Sequence, residues 1–123
     1  VRLTGESVFI NADPTLLDEM LRNVIENGVK YNRLNGEVQV EVSRLADGAR
    51  VRVTDTGIGI PQEHQDKVFE RFYRVDKSHS KQTGGTGLGL SIVKHGALFH
   101  DARVSLESQE GKGTKITIRF PPE

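Results

Sequence analysis

The stretch NADPTLLDEMLRNVIENGVKYN, residues 11–32, is the strongest structural signal in the chain. Asp13 is suited to cap a helix, and Pro14 is suited to its first position. The stretch therefore predicts an amphipathic helix that packs one face against a core. The apolar residues at helical spacing are Leu16, Leu17, Met20, Leu21, Val24 and Ile25.

Three polar residues of this helix lie at or near its apolar face. At about 100° per residue, Asn27 falls inside the apolar arc, and Asn23 and Lys30 lie on its border. Polar groups at such positions need partners. An amide oxygen combined with phosphate oxygens suits Mg²⁺, which takes few protein ligands, and Lys30 could reach the same phosphates. The alternative to a phosphate-binding role for Lys30 is an ordinary solvated charge on the surface.

The rest of the chain predicts two hairpins and a second helix. Valines alternate at 38, 40 and 42, then at 51 and 53, around Asp47 and Gly48, and a second alternating pair of segments surrounds QEGKG at residues 109–113. Residues 88–99 predict a helix, and Pro61 starts a short helical piece. We therefore expect one domain over residues 1–123 with an α+β fold: a two-layer sandwich with helices on one face of a mixed, mainly antiparallel sheet.

Two short segments carry less regular signals. Val68, Phe69, Phe72 and Tyr73 have helical spacing and are assigned to the piece that begins at Pro61. Residues 75–86, VDKSHSKQTGGT, have no apolar period and predict a mobile loop.

Composition narrows the classes of function. Lys and Arg together number 17, as do Asp and Glu, so net charge favours neither nucleic acid nor an anionic membrane as a partner. Cysteine is absent, which excludes disulfides, thiolate metal sites and cysteine nucleophiles. No apolar run approaches the roughly 20 residues of a membrane span, and no signal peptide opens the chain. We therefore expect the chain to be soluble. The localisation expected for the domain is cytoplasmic, without direct membrane contact, whether or not its parent protein is anchored in a membrane.

Two glycine-rich turns flank the predicted loop. GGTGLGL, residues 84–90, precedes a helix, where free N–H groups and the helix dipole suit a phosphate. DTGIGIP, residues 55–61, ends a strand and begins with Asp55. Asp55 is either a turn-forming residue or a carboxylate that accepts hydrogen bonds from an amino group on a flat ring. Neither turn fits a Walker A loop or a dinucleotide-binding fold.

Four segments together resemble the ATP-binding catalytic domain of sensor histidine kinases. NVIENGVKYN resembles the N box, DTGIGIP the G1 box, VFERFYRVD the F box and GGTGLGLSIVKH the G2 box, in that order. The resemblance covers residues 13–120. The wider superfamily of gyrase, Hsp90 and mismatch-repair ATPases shares the first two boxes, whereas KYN and FYRVD resemble the kinase branch. The resemblance implies the Bergerat fold.

The resemblance also implies roles for individual residues. Asp55 would take the adenine amino group, with Tyr31 near the adenine or ribose, and Asn27 would hold Mg²⁺ beside the ATP phosphates. Asn23 and Lys30 would lie beside those phosphates, and Arg74 would swing to the γ-phosphate. The backbone would contact the nucleotide at Gly57 and Gly59 in the base pocket and, along the triphosphate, at Gly85, Thr86, Gly87, Leu88 and Gly89.

Two departures from the family pattern bear on mechanism. Hydrolysing relatives typically have a glutamate at the position of Asn23, and asparagine cannot act as that base. We therefore expect transfer rather than efficient hydrolysis. Residues 100–102 of this chain are HDA, where family members often have HGG. We therefore expect a different helix exit there. The histidines His64, His79, His95 and His100 lie outside any acceptor motif, and the last two are expected on ordinary faces of the second helix.

The implied partner is therefore a histidine-bearing dimerisation domain of the same kinase, and indirectly a response regulator. Two alternatives stay open: a protein serine kinase of the anti-sigma-factor type, and a regulatory module that binds nucleotide without transferring phosphate.

Overall fold

The computed structural model describes residues 1–70 and 89–122. Two helices and five strands account for most of this part of the chain, with a 3₁₀ helix at Gln62–His64. The elements in chain order are β1 (Arg2–Gly5), α1 (Pro14–Lys30), β2 (Val38–Leu45), β3 (Gly48–Asp55), α2 (Gly89–Phe99), β4 (Arg103–Gln109) and β5 (Gly113–Phe120).

The first helix begins as its sequence predicts. Oδ1 of Asp13 accepts hydrogen bonds from the N–H groups of Thr15 at 3.0 Å and Leu16 at 3.1 Å, and Pro14 is the first helical residue. The apolar face buries Met20 and Val24 almost completely. The predicted cap, the proline position and the buried face of α1 are all confirmed.

The five strands form one sheet in the order β1-β2-β3-β5-β4. Strand β1 runs parallel to β2, and the other neighbours are antiparallel. Both predicted hairpins are present, with Leu45 opposite Gly48 and Gln109 opposite Gly113. The predicted mixed, mainly antiparallel sheet is confirmed.

Strand β1 is the element that the sequence did not predict. Its four residues are all exposed, so no alternation of buried and exposed positions marks it. It pairs with β2 across more than 30 residues of chain, Arg2 opposite Gln39 and Leu3 opposite Val40. A short edge strand of this kind forms because a neighbouring strand offers its hydrogen bonds, which local sequence does not reveal.

One core lies between the helices and one face of the sheet. Helix α1 packs against α2 where Met20 meets Gly96, and both helices cover inward side chains of the strands. The least exposed large side chains are Met20, Val24, Val93 and Ile118. This two-layer arrangement is the predicted one.

The segment after Pro61 differs from its prediction. Only Gln62–His64 are helical, in a 3₁₀ turn, and further turns continue to Phe69. The Gln65 side-chain amide donates to the carbonyl oxygens of Ile60 at 2.9 Å and Ser108 at 3.0 Å. These bonds hold the segment against β4 instead of letting a helix extend, so the helical assignment of Val68 and Phe69 is wrong.

The exit of α2 is a Schellman motif. The Ala102 N–H donates to the Ala97 carbonyl at 2.8 Å and the Asp101 N–H to the Leu98 carbonyl at 3.3 Å, with Asp101 at φ 54°. Glycine usually occupies that left-handed position. Asp101 therefore occupies the left-handed position that glycine favours. The expected difference from the helix exit of relatives with HGG stays a prediction.

The expectation for His100 is wrong. His100 is buried, and its two ring nitrogens contact the Asp13 N–H and the Gly96 carbonyl.

The predicted loop at residues 75–86 lies outside the described residues. None of the helices described in residues 1–70 and 89–122 has the length and apolar character needed to cross a membrane.

Candidate nucleotide site

The end of α1 docks on the turn that follows β3. The Tyr31 carbonyl, one residue past the helix, accepts a hydrogen bond from the Ile58 N–H at 3.1 Å. Gly28 of the same helix lies beside β2 and β3, since a methyl group there would make ordinary contacts with Val38 at 3.4 Å and with the Cβ of Asp55 at 3.6 Å. The segments NVIENGVKYN, residues 23–32, and DTGIGIP, residues 55–61, are therefore neighbours in space.

Asp55, the last residue of β3, is fixed by main-chain hydrogen bonds. Its half-buried Oδ1 accepts hydrogen bonds from the N–H groups of Gly57 at 2.9 Å and Thr114 at 3.2 Å. Burial raises the pKa of the Asp55 carboxyl, and these two N–H groups lower it in part. Within the described ranges, no hydrogen bond occupies Oδ2, which leaves a fixed acceptor for an incoming donor.

Gly57 and Gly59 each have a structural reason to be glycine. A Cβ at Gly57 would lie 2.4 Å from the Tyr31 carbonyl oxygen. Gly59 has a φ of +73°, and a Cβ there would lie 2.2 Å from the Gln109 carbonyl oxygen. These contacts set the shape of the turn that carries Asp55. A contact of either glycine with a base remains a prediction.

The polar residues of α1 occupy distinct environments. Asn27 is half-buried, and in residues 1–70 and 89–122 its side-chain amide has no hydrogen-bond partner. The Asn23 amide, also half-buried, donates to the Glu19 carbonyl at 2.7 Å. Lys30 is exposed. Asn27 therefore has an amide group available to a ligand, whereas Asn23 uses its donor within the helix.

The sequence did not identify the residues that brace the site. Asn32 accepts hydrogen bonds from the Arg33 N–H at 2.9 Å and the Thr56 hydroxyl at 3.1 Å, and donates to the Glu37 carbonyl at 2.8 Å. The Arg33 guanidinium donates to the carbonyls of Gly57 and Gly111. The available signal was the polar pair directly after a helix end, where main-chain groups need partners.

Comparison with known proteins places this arrangement in a family. The profile of the family described as "Histidine kinase-, DNA gyrase B-, and HSP90-like ATPase" matches residues 12–123. The chain belongs to this family. The resemblance suggested by the four boxes is confirmed, and the similar proteins place the chain on the histidine-kinase side of this family.

Three similar proteins illustrate that side of the ATPase family. Sensor protein kinase WalK of Staphylococcus haemolyticus (strain JCSC1435) is 42% identical over 123 residues, 98% of this chain and 20% of that protein. The mycobacterial sensor histidine kinase MprB aligns with a TM-score of 0.85 at 31% identity, over 98% of this chain and 81% of that one. Full-length ShkA in complex with AMPPNP aligns with a TM-score of 0.80 at 29% identity, over 98% of this chain and 25% of that one.

These matches confirm the expected class of protein, the catalytic ATP-binding domain of a histidine kinase. The chain spans about a fifth of the length of the WalK relative, so the activity of a whole kinase is not carried over with the fold. Of the residues assigned to the phosphate side of the site, Asn23, Asn27, Lys30 and Gly89 lie within the described ranges. The others, Arg74, Gly85, Thr86, Gly87 and Leu88, lie outside those ranges.

Proposed function

We propose that this ATPase domain binds Mg²⁺-ATP and presents the γ-phosphate to a histidine on a partner domain, within two-component signalling. The main support for this proposal is the geometry of the Asp55 carboxylate. Gly57 and Thr114 fix one of its oxygens through main-chain hydrogen bonds, and no group in residues 1–70 and 89–122 bonds to the other oxygen. A rigid, half-buried carboxylate with one free oxygen is an acceptor suited to the adenine amino group.

Asn27 suits the metal. Among the described residues the half-buried Asn27 amide has no hydrogen-bond partner, so it is available to a ligand. Its oxygen is the neutral ligand that Mg²⁺ accepts together with phosphate oxygens and water. Lys30, exposed three residues later on the same helix, would add positive charge beside the phosphates. Bound Mg²⁺ would neutralise charge on the transferring phosphoryl group.

The phosphate acceptor is proposed to lie on another domain. His100 cannot accept phosphate in this fold, because it is buried and both of its ring nitrogens are engaged. Asn23 cannot activate water as a glutamate would, so the bound phosphate is held for transfer. The proposed recipient is a histidine of the dimerisation domain, from which a response regulator would take the phosphate.

Base selectivity tests this proposal directly. Guanine carries a carbonyl oxygen where adenine carries its amino group, so the Asp55 carboxylate would face an acceptor instead of a donor. Calorimetric titration with AMPPNP and with the matching guanine analogue should give binding about 100-fold or more weaker for guanine. Equal affinity for the two analogues would refute the adenine assignment.

The transfer step needs a separate test. Incubation of the chain with labelled ATP, Mg²⁺ and an isolated histidine-bearing domain should label that domain with phosphate that acid removes. Acid-stable label would instead indicate a protein serine kinase, and binding without any label would favour the regulatory module.

A further inference from the structure

The face of the sheet that α1 and α2 leave uncovered is strongly basic. Its side chains alternate with the core positions: Val51 and Val53 point to the helices, and Arg50 and Arg52 point away. The strand register places six cations and two carboxylates on this open face, in a chain whose formal net charge is +0. The cations are Arg2, Arg50, Arg52, Arg103, Lys115 and Arg119, and the carboxylates are Glu41 and Glu107.

Three of the arginines stand directly opposite one another on neighbouring strands. Arg50 of β3 pairs with Arg119 of β5, and Arg119 pairs with Arg103 of β4. We call these three residues the arginine row. Like charges directly opposite each other destabilise a sheet. The row is therefore unfavourable for folding unless an external anion compensates it.

Internal compensation of the row is weak. Arg119 lies 3.6 Å from Asp47, with both side chains more than half exposed. Arg50 lies 3.6 Å from Glu41, which also serves Arg52 at 3.8 Å. Arg103 forms no ion pair with any other residue that the structure describes. Solvent screens exposed pairs of this kind, so the open face keeps a positive potential.

Arg50 and Arg52 are also restrained and incompletely hydrogen-bonded. Their side chains are 27% and 32% exposed, and the Nε of each is shielded from solvent and has no hydrogen-bond partner in the part of the chain that the structure describes. A restrained guanidinium loses little entropy on binding and presents planar donors to a carboxylate. Arginines of this kind are typical of the energetically important positions of protein interfaces.

We propose that the open face is a docking surface for an acidic protein surface whose carboxylates pair with the arginine row. Five of its six cations are arginine, which pairs with carboxylates in bidentate geometry. Glu41 and Glu107 interrupt the positive charge, which suits a patterned protein surface better than a uniform polyphosphate. The outward positions of the described strands include no aromatic side chain to stack on a base or enter a bilayer.

This docking would leave the nucleotide site open. Asp55 pairs with Val38 and Thr114 and so points to the helical side of the sheet. The proposed partner approaches the opposite side. Binding at the open face is therefore independent of the nucleotide proposal and can be measured without nucleotide.

A charge-matched pair of variants tests the docking surface. Poly-L-glutamate is titrated at low ionic strength into the wild-type chain, Arg103→Gln/Arg119→Gln and Arg22→Gln/Lys94→Gln. The second variant removes the same charge from exposed positions of α1 and α2. We expect binding about tenfold weaker in the first variant and changed less than about twofold in the second. The thermal midpoint of the first variant should equal or exceed that of the wild type, because the substitutions relieve like-charge repulsion.

Several results would overturn the proposal. Equal weakening in both variants would show that net charge alone drives the binding. Absence of saturable binding would refute the docking surface. A fall in the thermal midpoint of Arg103→Gln/Arg119→Gln would show that the row supports the fold. Tighter binding of duplex DNA or phosphatidylserine vesicles, with the same dependence on the row, would assign the face to another class of partner.

Discussion

At the scale of single residues, Asp55 combines a structural cost with its proposed role. Burial raises the pKa of its carboxyl, so the folded state resists ionisation more than the unfolded chain does. Below the unfolded pKa the carboxyl is neutral in both states and this penalty is absent. As the pH rises through the folded pKa the penalty appears in full, and it persists at neutral pH.

Asp55→Asn should therefore stabilise the fold at neutral pH, and the gain should shrink as the pH falls towards about 4. The asparagine oxygen can still accept from the Gly57 and Thr114 N–H groups, so the turn should survive. Urea unfolding across this pH range measures the effect, with Asp66→Asn as the control for loss of one exposed charge. A neutral-pH stability below that of the wild type would contradict the burial argument.

Asp101 gives a second prediction at this scale. Its φ of 54° lies in the region that glycine adopts without strain. Asp101→Gly should raise the free energy of unfolding by about 0.5–1 kcal/mol, and Asp101→Ala should lower it. Urea unfolding of the three proteins would give the order Gly, Asp, Ala. Alanine equal to glycine would show that no strain is present at this position.

At the scale of elements, His100 joins the end of α2 to the start of α1. Its Nε2 accepts from the Asp13 N–H at 3.0 Å, and its Nδ1 lies 2.8 Å from the Gly96 carbonyl. Nδ1 therefore carries the proton. His100→Ala should cost about 1–3 kcal/mol of unfolding free energy, because the buried imidazole and both of its hydrogen bonds are lost. His95→Ala, at an exposed site on the same helix, should change it by less than about 0.5 kcal/mol. Similar losses in both variants would contradict the bridging role.

The contact between α1 and α2 depends on a glycine. A methyl group at Gly96 would lie 2.4 Å from the Met20 sulfur, whereas one at Gly28 would make ordinary contacts from 3.4 Å. Gly96→Ala should destabilise the fold by about 1–3 kcal/mol through overpacking. Gly28→Ala should leave stability unchanged or raise it by up to about 1 kcal/mol through helix propensity. Thermal unfolding compares the two, and equal effects would contradict the packing described.

At the scale of the whole molecule, the sequence predicted both helices, both hairpins and the two-layer architecture. Those elements carry their own signals: a capped amphipathic run beginning at Pro14 and valine alternation across β2 and β3. Strand β1 carried none, because its pairing is supplied by β2. The segment after Pro61 had helical spacing, but side-chain bonds from Gln65 to main-chain carbonyls determined its path.

The candidate site was predictable to a similar degree. The chemistry of Asp55 and Asn27 could be inferred from their positions in recognisable boxes. The bracing by Asn32 and Arg33 depends on carbonyl groups brought together by folding, at Gly57 and Gly111, so no local pattern contains it. The residues proposed to bind a ligand therefore carried a local sequence signal, whereas those that hold the site in shape did not.

The most direct test of the central claim is calorimetric titration of the chain with AMPPNP, with and without Mg²⁺, for the wild type and Asp55→Asn in parallel. We predict one-to-one binding by the wild type that Mg²⁺ strengthens, and binding at least about tenfold weaker in Asp55→Asn, which loses a charged hydrogen-bond acceptor. Wild-type affinity in a folded Asp55→Asn variant, or no binding by the wild type, would contradict the claim that this domain holds ATP through Asp55.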